Sequence, residues 1–165
     1  MVKRLITAAG KIPVYLLLPV FVTSLLLSTM GMPAKAQQID IQNFTSPSGN
    51  IHCLVVRDEN ESSADCSVRT ATWTKLAPKP AGCDLDWDPA EILLIVERVK
   101  TTVLEGGCRG DIGPYCPPGC RKLAYGASVT VGKVRCTSQP DGIRCQATTG
   151  KKKGFLIGAR SWKRL

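Results

Sequence analysis

The side chains best suited to acid–base or metal chemistry are few: one histidine, His52, and the alternating aspartates Asp84, Asp86 and Asp88. Histidine most often transfers protons near neutral pH, so a catalytic triad or a histidine–metal site would have to use His52. We expect His52 to face solvent from a strand, because it precedes Cys53 and successive strand residues point to opposite faces. The sequence contains no catalytic constellation, and we predict that the protein is not an enzyme.

In an extended segment the three aspartates would share one face, which resembles the start of a calcium-binding loop. Pro89 stands where such a loop needs glycine, and Ile95 stands where it needs the bidentate glutamate. We therefore interpret the segment as a polar loop and predict neither a metal nor a cofactor. A hydrolase using Asp84, Asp86 or Asp111 is the least favoured alternative.

The last third of the chain is basic: from Arg121 onward it holds eleven Lys and Arg residues and one acid, Asp141. Such a surface attracts anionic polymers, among which wall polysaccharide and lipid headgroups are favoured over nucleic acid. The alternative is an ordinary solvated surface with a tail. The candidate binding residues are Lys151, Lys152, Lys153, Arg160, Trp162, Lys163 and Arg164, with Phe155 beside them.

All eight cysteines follow residue 36. An even number of cysteines in an exported chain predicts disulfides. A zinc site is the alternative, because two cysteines four residues apart have nearly the spacing of metal ligands, but no second pair of that kind is present. The cysteines are Cys53, Cys66, Cys83, Cys108, Cys116, Cys120, Cys136 and Cys145.

Two pairings follow from predicted hairpins, in which opposed residues come within disulfide reach. One hairpin is centred between Glu59 and Asn60. The other turns at 139–142, where a glycine bulge would shift the register by one residue. The remaining cysteines are assigned to one long-range pair and one local loop. The expected pairs are Cys53–Cys66, Cys136–Cys145, Cys83–Cys108 and Cys116–Cys120.

Residues 1–36 have the order of a signal peptide: basic residues, an apolar stretch at 12–32, and a small-residue cleavage pattern at Ala34-Lys35-Ala36. We predict a secreted or periplasmic protein that begins at Gln37. The apolar stretch is also long enough to span a bilayer, which needs roughly 20 residues. An uncleaved membrane anchor is therefore the alternative.

Residues 37–165 have the length of one domain, and we expect a monomer. Strand-like runs occupy Ile51–Val56, Ala64–Val68, Ile92–Val96 and Thr101–Leu104. We expect the last two runs to form a hairpin that turns around Arg98 to Lys100, and a helix starting at Asp88–Glu91 is the alternative. The predicted fold is all-β, a small disulfide-stapled antiparallel sandwich or open barrel.

A series of short motifs runs along the chain and begins with F-x-S-P-S-G-N-I-x-C at Phe44–Cys53. The later motifs are C-x-x-D-W from Cys83, C-x-G-D from Cys108, L-x-Y-G from Leu123, C-x-S from Cys136, G-I-x-C from Gly142 and G-F at Gly154. This pattern, which covers nearly all of residues 44–160, resembles that of a family of secreted bacterial domains of unknown function, and the first and penultimate motifs are its most specific parts.

The sequence departs from the family pattern at Asp88, at Ile112 and in the lengthened segment Lys151–Lys153. Cys116 and Cys120 add to a six-cysteine pattern, so the resemblance implies three framework disulfides and one local bridge. It supports the predicted fold and export, and it implies no activity.

We therefore expect an exported, non-enzymatic module that binds an anionic cell-envelope component through a basic C-terminal surface. This function requires the Lys and Arg side chains to lie on one face of the fold. The alternative is a secreted inhibitor or interaction protein that presents a rigid, disulfide-framed loop, either Phe44–Asn50 or Cys116–Cys120.

Overall fold

The computed structural model describes residues 39–73, 78–110, 116 and 119–165. The predicted signal peptide, Asp111 and part of the Cys116–Cys120 loop lie outside these residues. No helix in the described part has the length and hydropathy to cross a membrane. The strands are β1 (Asp40–Thr45), β2 (Ile51–Arg57), β3 (Ser62–Val68), β4 (Asp86–Val96), β5 (Thr101–Arg109), β6 (Arg121–Lys122), β7 (Ser128–Val131), β8 (Val134–Gln139), β9 (Gly142–Ala147), β10 (Gly154–Ile157) and β11 (Trp162–Arg164).

The strands form two sheets that pack against each other. The six-stranded sheet has the order β5-β4-β3-β2-β1-β6, and the five-stranded sheet has the order β11-β10-β9-β8-β7. All strand pairs are antiparallel except β1 with β6. Strand β3 contacts β8, and β4 contacts β9 and β10. The predicted all-β fold is confirmed, and of the two predicted forms it is the sandwich.

The core lies between the sheets because alternate residues of each strand point inward. Phe44, Ile92 and Leu94 enter it from the six-stranded sheet, and Ile143 and Phe155 enter it from the five-stranded sheet. All five side chains are fully buried. Phe155, expected beside the binding surface, is therefore a core residue.

Two disulfides meet in the centre of this core. Cys53 opposes Cys66 across β2 and β3, and Cys136 opposes Cys145 across β8 and β9. The Sγ atoms of Cys66 and Cys145 lie 3.9 Å apart, so the two bridges are in contact across the sandwich. No bulge shifts the second hairpin. The four pairs present are the four expected ones, Cys53–Cys66, Cys83–Cys108, Cys116–Cys120 and Cys136–Cys145.

The segment from Asp88 forms the predicted hairpin between β4 and β5 rather than a helix. Asp88 Oδ1 accepts the backbone N–H of Ala90 at 2.8 Å, the bond that would also start a helix. The register nevertheless shifts after Asp88, which opposes Gly107, so that Ile92 opposes Glu105. The helix-like motif thus marks a bulge inside a strand.

Two segments outside the predicted strand-like runs also form strands. The polar segment before Phe44 becomes β1, which pairs with β2 through backbone hydrogen bonds, and these do not depend on its polar side chains. The basic tail supplies β10 and β11, because Phe155 and Ile157 bury their side chains in the core.

Candidate functional site

The outer side of the five-stranded sheet carries exposed or half-buried cations. Ile143 and Cys145 of β9 point into the core, so Arg144 between them points outward. Arg135 of β8 points outward for the same reason. We call Arg135, Arg144, Lys163 of β11 and Lys152 of the β9–β10 turn the basic face.

The strand register aligns part of the basic face in one row. Arg144 opposes Thr137 on one side and Leu156 on the other, and Leu156 in turn opposes Lys163. Neighbouring strands are spaced about 4.8 Å apart, which puts the backbones of Arg144 and Lys163 roughly 10 Å apart. An extended ligand crossing the strands would therefore meet successive cations.

A shallow depression of about 220 Å³ lies within the basic face and is lined in part by Arg135, Thr137, Arg144 and Lys152. Gln146 organises it: Arg144 Nε donates to Gln146 Oε1 at 2.8 Å, and Gln146 Nε2 donates to the Lys152 carbonyl oxygen at 3.1 Å. These bonds hold one guanidinium and connect it to the turn that carries Lys152.

Among the described residues, no carboxylate forms an ion pair with the basic face. Both ion pairs found among the described residues involve Arg109, on the other sheet. Asp141, the one acid after Arg121, lies just before β9, at the opposite end of that strand from the Lys152 turn. The four cations are therefore free to interact with an anionic ligand.

The structure brings together some of the candidate binding residues. Lys151, Lys152 and Lys153 are exposed in the turn at one end of the basic face, and Lys163 lies on the face itself. Arg160 lies in the β10–β11 turn, at the opposite end of β10. These positions thus form two groups at two ends of the sheet.

Trp162 and Arg164 point away from the basic face. Trp162 opposes the buried Ile157, and its Nε1 donates to Glu105 Oε1 at 3.0 Å. Arg164 Nη2 donates to the Val103 carbonyl oxygen at 3.1 Å. Because both partners belong to β5, these two side chains fasten the edge strands of the two sheets together.

Arg135 and Arg144 belong to the basic face, yet sequence reasoning did not select them. Each directly precedes a cysteine of the predicted hairpin, Cys136 or Cys145. Because those cysteines had to pair across the hairpin, the residues preceding them had to point to the opposite face. The alternation of side-chain direction along each strand therefore indicated these two residues, whereas the local density of basic residues did not.

The six-stranded sheet holds a second charged cluster that sequence reasoning missed. Asp65 of β3 and Glu91 of β4 have side chains that are 6% and 1% exposed. Arg109 of β5 connects them: its Nη2 contacts Asp65 Oδ2 and lies 2.6 Å from Glu91 Oε1, to which its Nε also donates at 2.8 Å. We call Asp65, Glu91 and Arg109 the buried carboxyl pair and its arginine.

Burial dominates the ionisation of these carboxyls. It raises the pKa of Asp65 to about 6 and, together with the charge of Asp65, raises the pKa of Glu91 to about 7, although Arg109 opposes both shifts. Within the described part of the chain, Oδ1 of Asp65 and Oε2 of Glu91 have no hydrogen-bond partner. The pair therefore favours a state in which it retains a proton near neutral pH.

Local structure makes room for this cluster. A Cβ atom at Gly107 would collide with the carboxyl group of Glu91, so the glycine lets that side chain lie against β5. Beside it, Ser67 Oγ donates to Asp88 Oδ2 at 2.5 Å. Since both carboxyls are closed to solvent, the cluster has the character of a structural charge network rather than an open acid–base site.

The other candidates for chemistry are dispersed. Asp84 and Asp86 are exposed, whereas Asp88 bonds within its own strand and to β3. The Nε2 atom of His52 lies 3.1 Å from the Gly49 carbonyl oxygen. Within the described residues, the one metal-like group is made of Cys53, Cys66 and Cys145, and all three are in disulfides.

Phe44–Asn50, one of the two loops proposed for an inhibitor, is partly internal. Phe44, Thr45 and Ser46 are buried. Ser46 binds Ile51 twice, because its N–H donates to the Ile51 carbonyl oxygen at 2.8 Å and its Oγ accepts the Ile51 N–H at 3.1 Å. A loop that buries its aromatic residue offers no apolar tip for insertion into a partner.

Comparison with known proteins places the chain in a family without assigning an activity. No curated protein and no solved structure shows significant similarity to it. A family model described as a family of unknown function matches residues 23–164, nearly the whole chain. On this match, the chain belongs to the family of unknown function DUF6636.

Proposed function

We propose that the protein is an exported, non-enzymatic binding module that holds an anionic cell-envelope polymer on the basic face. The observation that carries this proposal is the set of four cations on one side of the five-stranded sheet, none of which pairs with an acid in the part of the chain that the structure describes. Unpaired cations aligned by a rigid sheet would complement repeating negative charges.

Side-chain chemistry also supports an anionic ligand. The planar guanidinium groups of Arg135 and Arg144 match the geometry of phosphate and carboxylate oxygens. Each basic side chain near an anionic surface contributes about 1 kcal/mol, so the whole face is needed for useful affinity. Because exposed charges are screened by salt, binding is expected to weaken strongly as ionic strength rises.

Export is supported by the four disulfides, which are typical of oxidising compartments outside the cytosol. A binding role without catalysis is supported by the closure of Asp65 and Glu91, the two carboxyls with strongly raised pKa values. Catalytic carboxyls generally lie in a cleft that substrate can enter.

The test is co-sedimentation of the protein with purified cell envelope at low and high salt. We expect R135A/R144A to lose most of the binding. The control is R98A/K100A, which removes the same charge from the exposed β4–β5 turn of the other sheet and should bind normally. Equal losses in both variants would mean that binding depends on the net charge of the protein and not on the basic face, which would contradict the proposal. Failure of the unmodified protein to sediment at low salt would also overturn it.

The predicted lysines give a second test of the same surface. Replacing Lys151, Lys152 and Lys153 by alanine should weaken sedimentation less than R135A/R144A does, because these residues lie at the end of the basic face. A larger loss of binding in the lysine variant would show that the main binding surface is the β9–β10 turn and not the outer side of the sheet.

A further inference from the structure

A second cleft, of about 290 Å³, lies where four turns meet. Its walls come from the β1–β2 turn, from the segment before β7, from the β8–β9 turn and from the β10–β11 turn. The volume lies near the lower end of small-molecule sites, roughly 300 to 1,000 Å³. A ligand of one or a few small rings would fill it.

Backbone contacts hold the walls of this cleft in place. A Cβ atom at Gly142 would collide with the Ile157 carbonyl oxygen, and one at Gly158 would collide with the Asp141 carbonyl oxygen, so the two turns touch directly. The Gly126 N–H donates to the Ser138 carbonyl oxygen at 2.8 Å, which anchors a third turn. Because the cleft is formed before binding, little ordering cost is expected.

Three side chains in the cleft are available to a ligand. Tyr125 is 57% exposed, and Asp141 and Arg160 are exposed in facing turns. Neither charged residue takes part in an ion pair with another described residue. By contrast, Ser46 and Asn50 use their side chains to close their own turn and bind the neighbouring segment.

This combination selects among ligand classes by charge. An anion held by Arg160 would be repelled by Asp141. A cation held by Asp141 would be repelled by Arg160. An apolar ligand would remove water from both charged groups and would offer no hydrogen bond in its place. Adjacent hydroxyl groups satisfy both, since one hydroxyl can donate to the carboxylate while another accepts from the guanidinium.

We propose that this cleft binds a neutral saccharide, with the ring of Tyr125 against the C–H face of a sugar. Asp141 accepts from its hydroxyl groups, and Arg160 donates to them. Tyrosine suits this role because its ring offers apolar area beside a polar tip. The site is separate from the basic face: Arg160 and Lys152 lie in turns at opposite ends of β10.

The experiment is a two-dimensional NMR titration of the isotope-labelled protein with maltopentaose, cellopentaose and chitopentaose at millimolar concentrations. We expect at least one of them to shift the amide signals of the four turns that form the cleft. Y125F should retain binding, whereas Y125L should lose about tenfold in affinity because the aromatic face is gone.

The charged residues then distinguish a sugar from an anion. If hydroxyl groups donate to the carboxylate, D141N weakens binding about tenfold. If an anion occupies the cleft, D141N strengthens binding because a repulsion is removed, and that result would overturn the proposal.

R160A should weaken saccharide binding, while R98A, with the same charge loss in a remote turn, should leave it unchanged. Absence of shifts with all three oligosaccharides would also overturn the proposal.

Discussion

The outer faces of the two sheets use charge in opposite ways. On the six-stranded sheet, Asp65 and Glu91 are almost fully buried and share one arginine, Arg109. On the five-stranded sheet, Arg135 and Arg144 lie outside the core, and no carboxylate of residues 39–73, 78–110, 116 or 119–165 pairs with them. The charges on the six-stranded sheet pair with one another inside the protein. The charges on the five-stranded sheet remain available to a ligand.

The difference separates structural charge from functional charge. Buried groups that pair with each other affect stability and pH response, because removing one partner leaves the other unpaired in a poorly solvated site. Exposed cations contribute little to stability, so their alignment without acids calls for another explanation. Buried carboxyls with raised pKa values therefore mark the face that we regard as structural, and exposed cations aligned on one sheet mark the proposed binding face.

The largest expected effect is that of removing the shared arginine. R109M should destabilise the protein by about 3 kcal/mol at pH 8, because two carboxyls lose their cation, and by less at pH 4, where both carboxyls take up protons. Urea unfolding with intact disulfides measures this. The control R135M, on the basic face, should change stability by less than about 0.5 kcal/mol. Similar losses in both variants would contradict the contrast between the faces.

The second prediction concerns pH. Because the pKa values of Asp65 and Glu91 are raised in the folded state, to about 6 and about 7, the folded protein binds more protons than the unfolded chain between these values and the ordinary ones. Stability should therefore fall as the pH rises from about 4 to about 7. One extra proton, held over the roughly two pH units between the ordinary and the raised pKa of one carboxyl, corresponds to about 3 kcal/mol.

The matched variant for this prediction is E91Q, which keeps the shape of the side chain and removes its charge. It should flatten the decrease in stability between pH 4 and pH 7 in urea titrations. Asp58 acts in the opposite direction, since backbone N–H groups of Asn60 and Glu61 lower its pKa, but it is fully exposed. A decrease that E91Q leaves unchanged would assign the pH response to other groups.

The smallest effects come from two adjacent residues on opposite sides of β11. K163A should weaken envelope binding and leave stability unchanged, because Lys163 lies on the basic face. R164A should lower stability by about 1 kcal/mol through loss of its bond to Val103, and should leave binding unchanged. Sedimentation measures envelope binding and urea unfolding measures stability in both variants. Loss of stability in K163A together with loss of binding in R164A would contradict the assignment.

The hairpins were easier to predict from the sequence than the charged clusters. The β2–β3 and β8–β9 hairpins followed from turn chemistry and from cysteines that had to oppose each other. Local rules suffice there because the strands are adjacent in sequence. The β4–β5 hairpin was also predicted, although Asp88 and Pro89 imitated a helix start, because the β-branched content of the strands outweighed that motif.

The charged clusters were harder to predict because each collects residues from several strands. Asp65, Glu91 and Arg109 come together through the order of β3, β4 and β5, and nothing in the local sequence of any one of them indicates the other two. The bulge at Asp88 also moves Glu91 relative to β5, a displacement that alternation along the chain does not include.

The sequence by itself determined the all-β class, the two hairpin disulfides and the basic character of the last third, because alternation, turn residues and composition are local properties. Tertiary structure decided which basic residues share a face. It placed Arg135 and Arg144 beside Lys163, and turned Trp162 and Arg164 toward β5. The reason is that a strand sends neighbouring residues to opposite sides, and only the packing of the two sheets decides which side is buried.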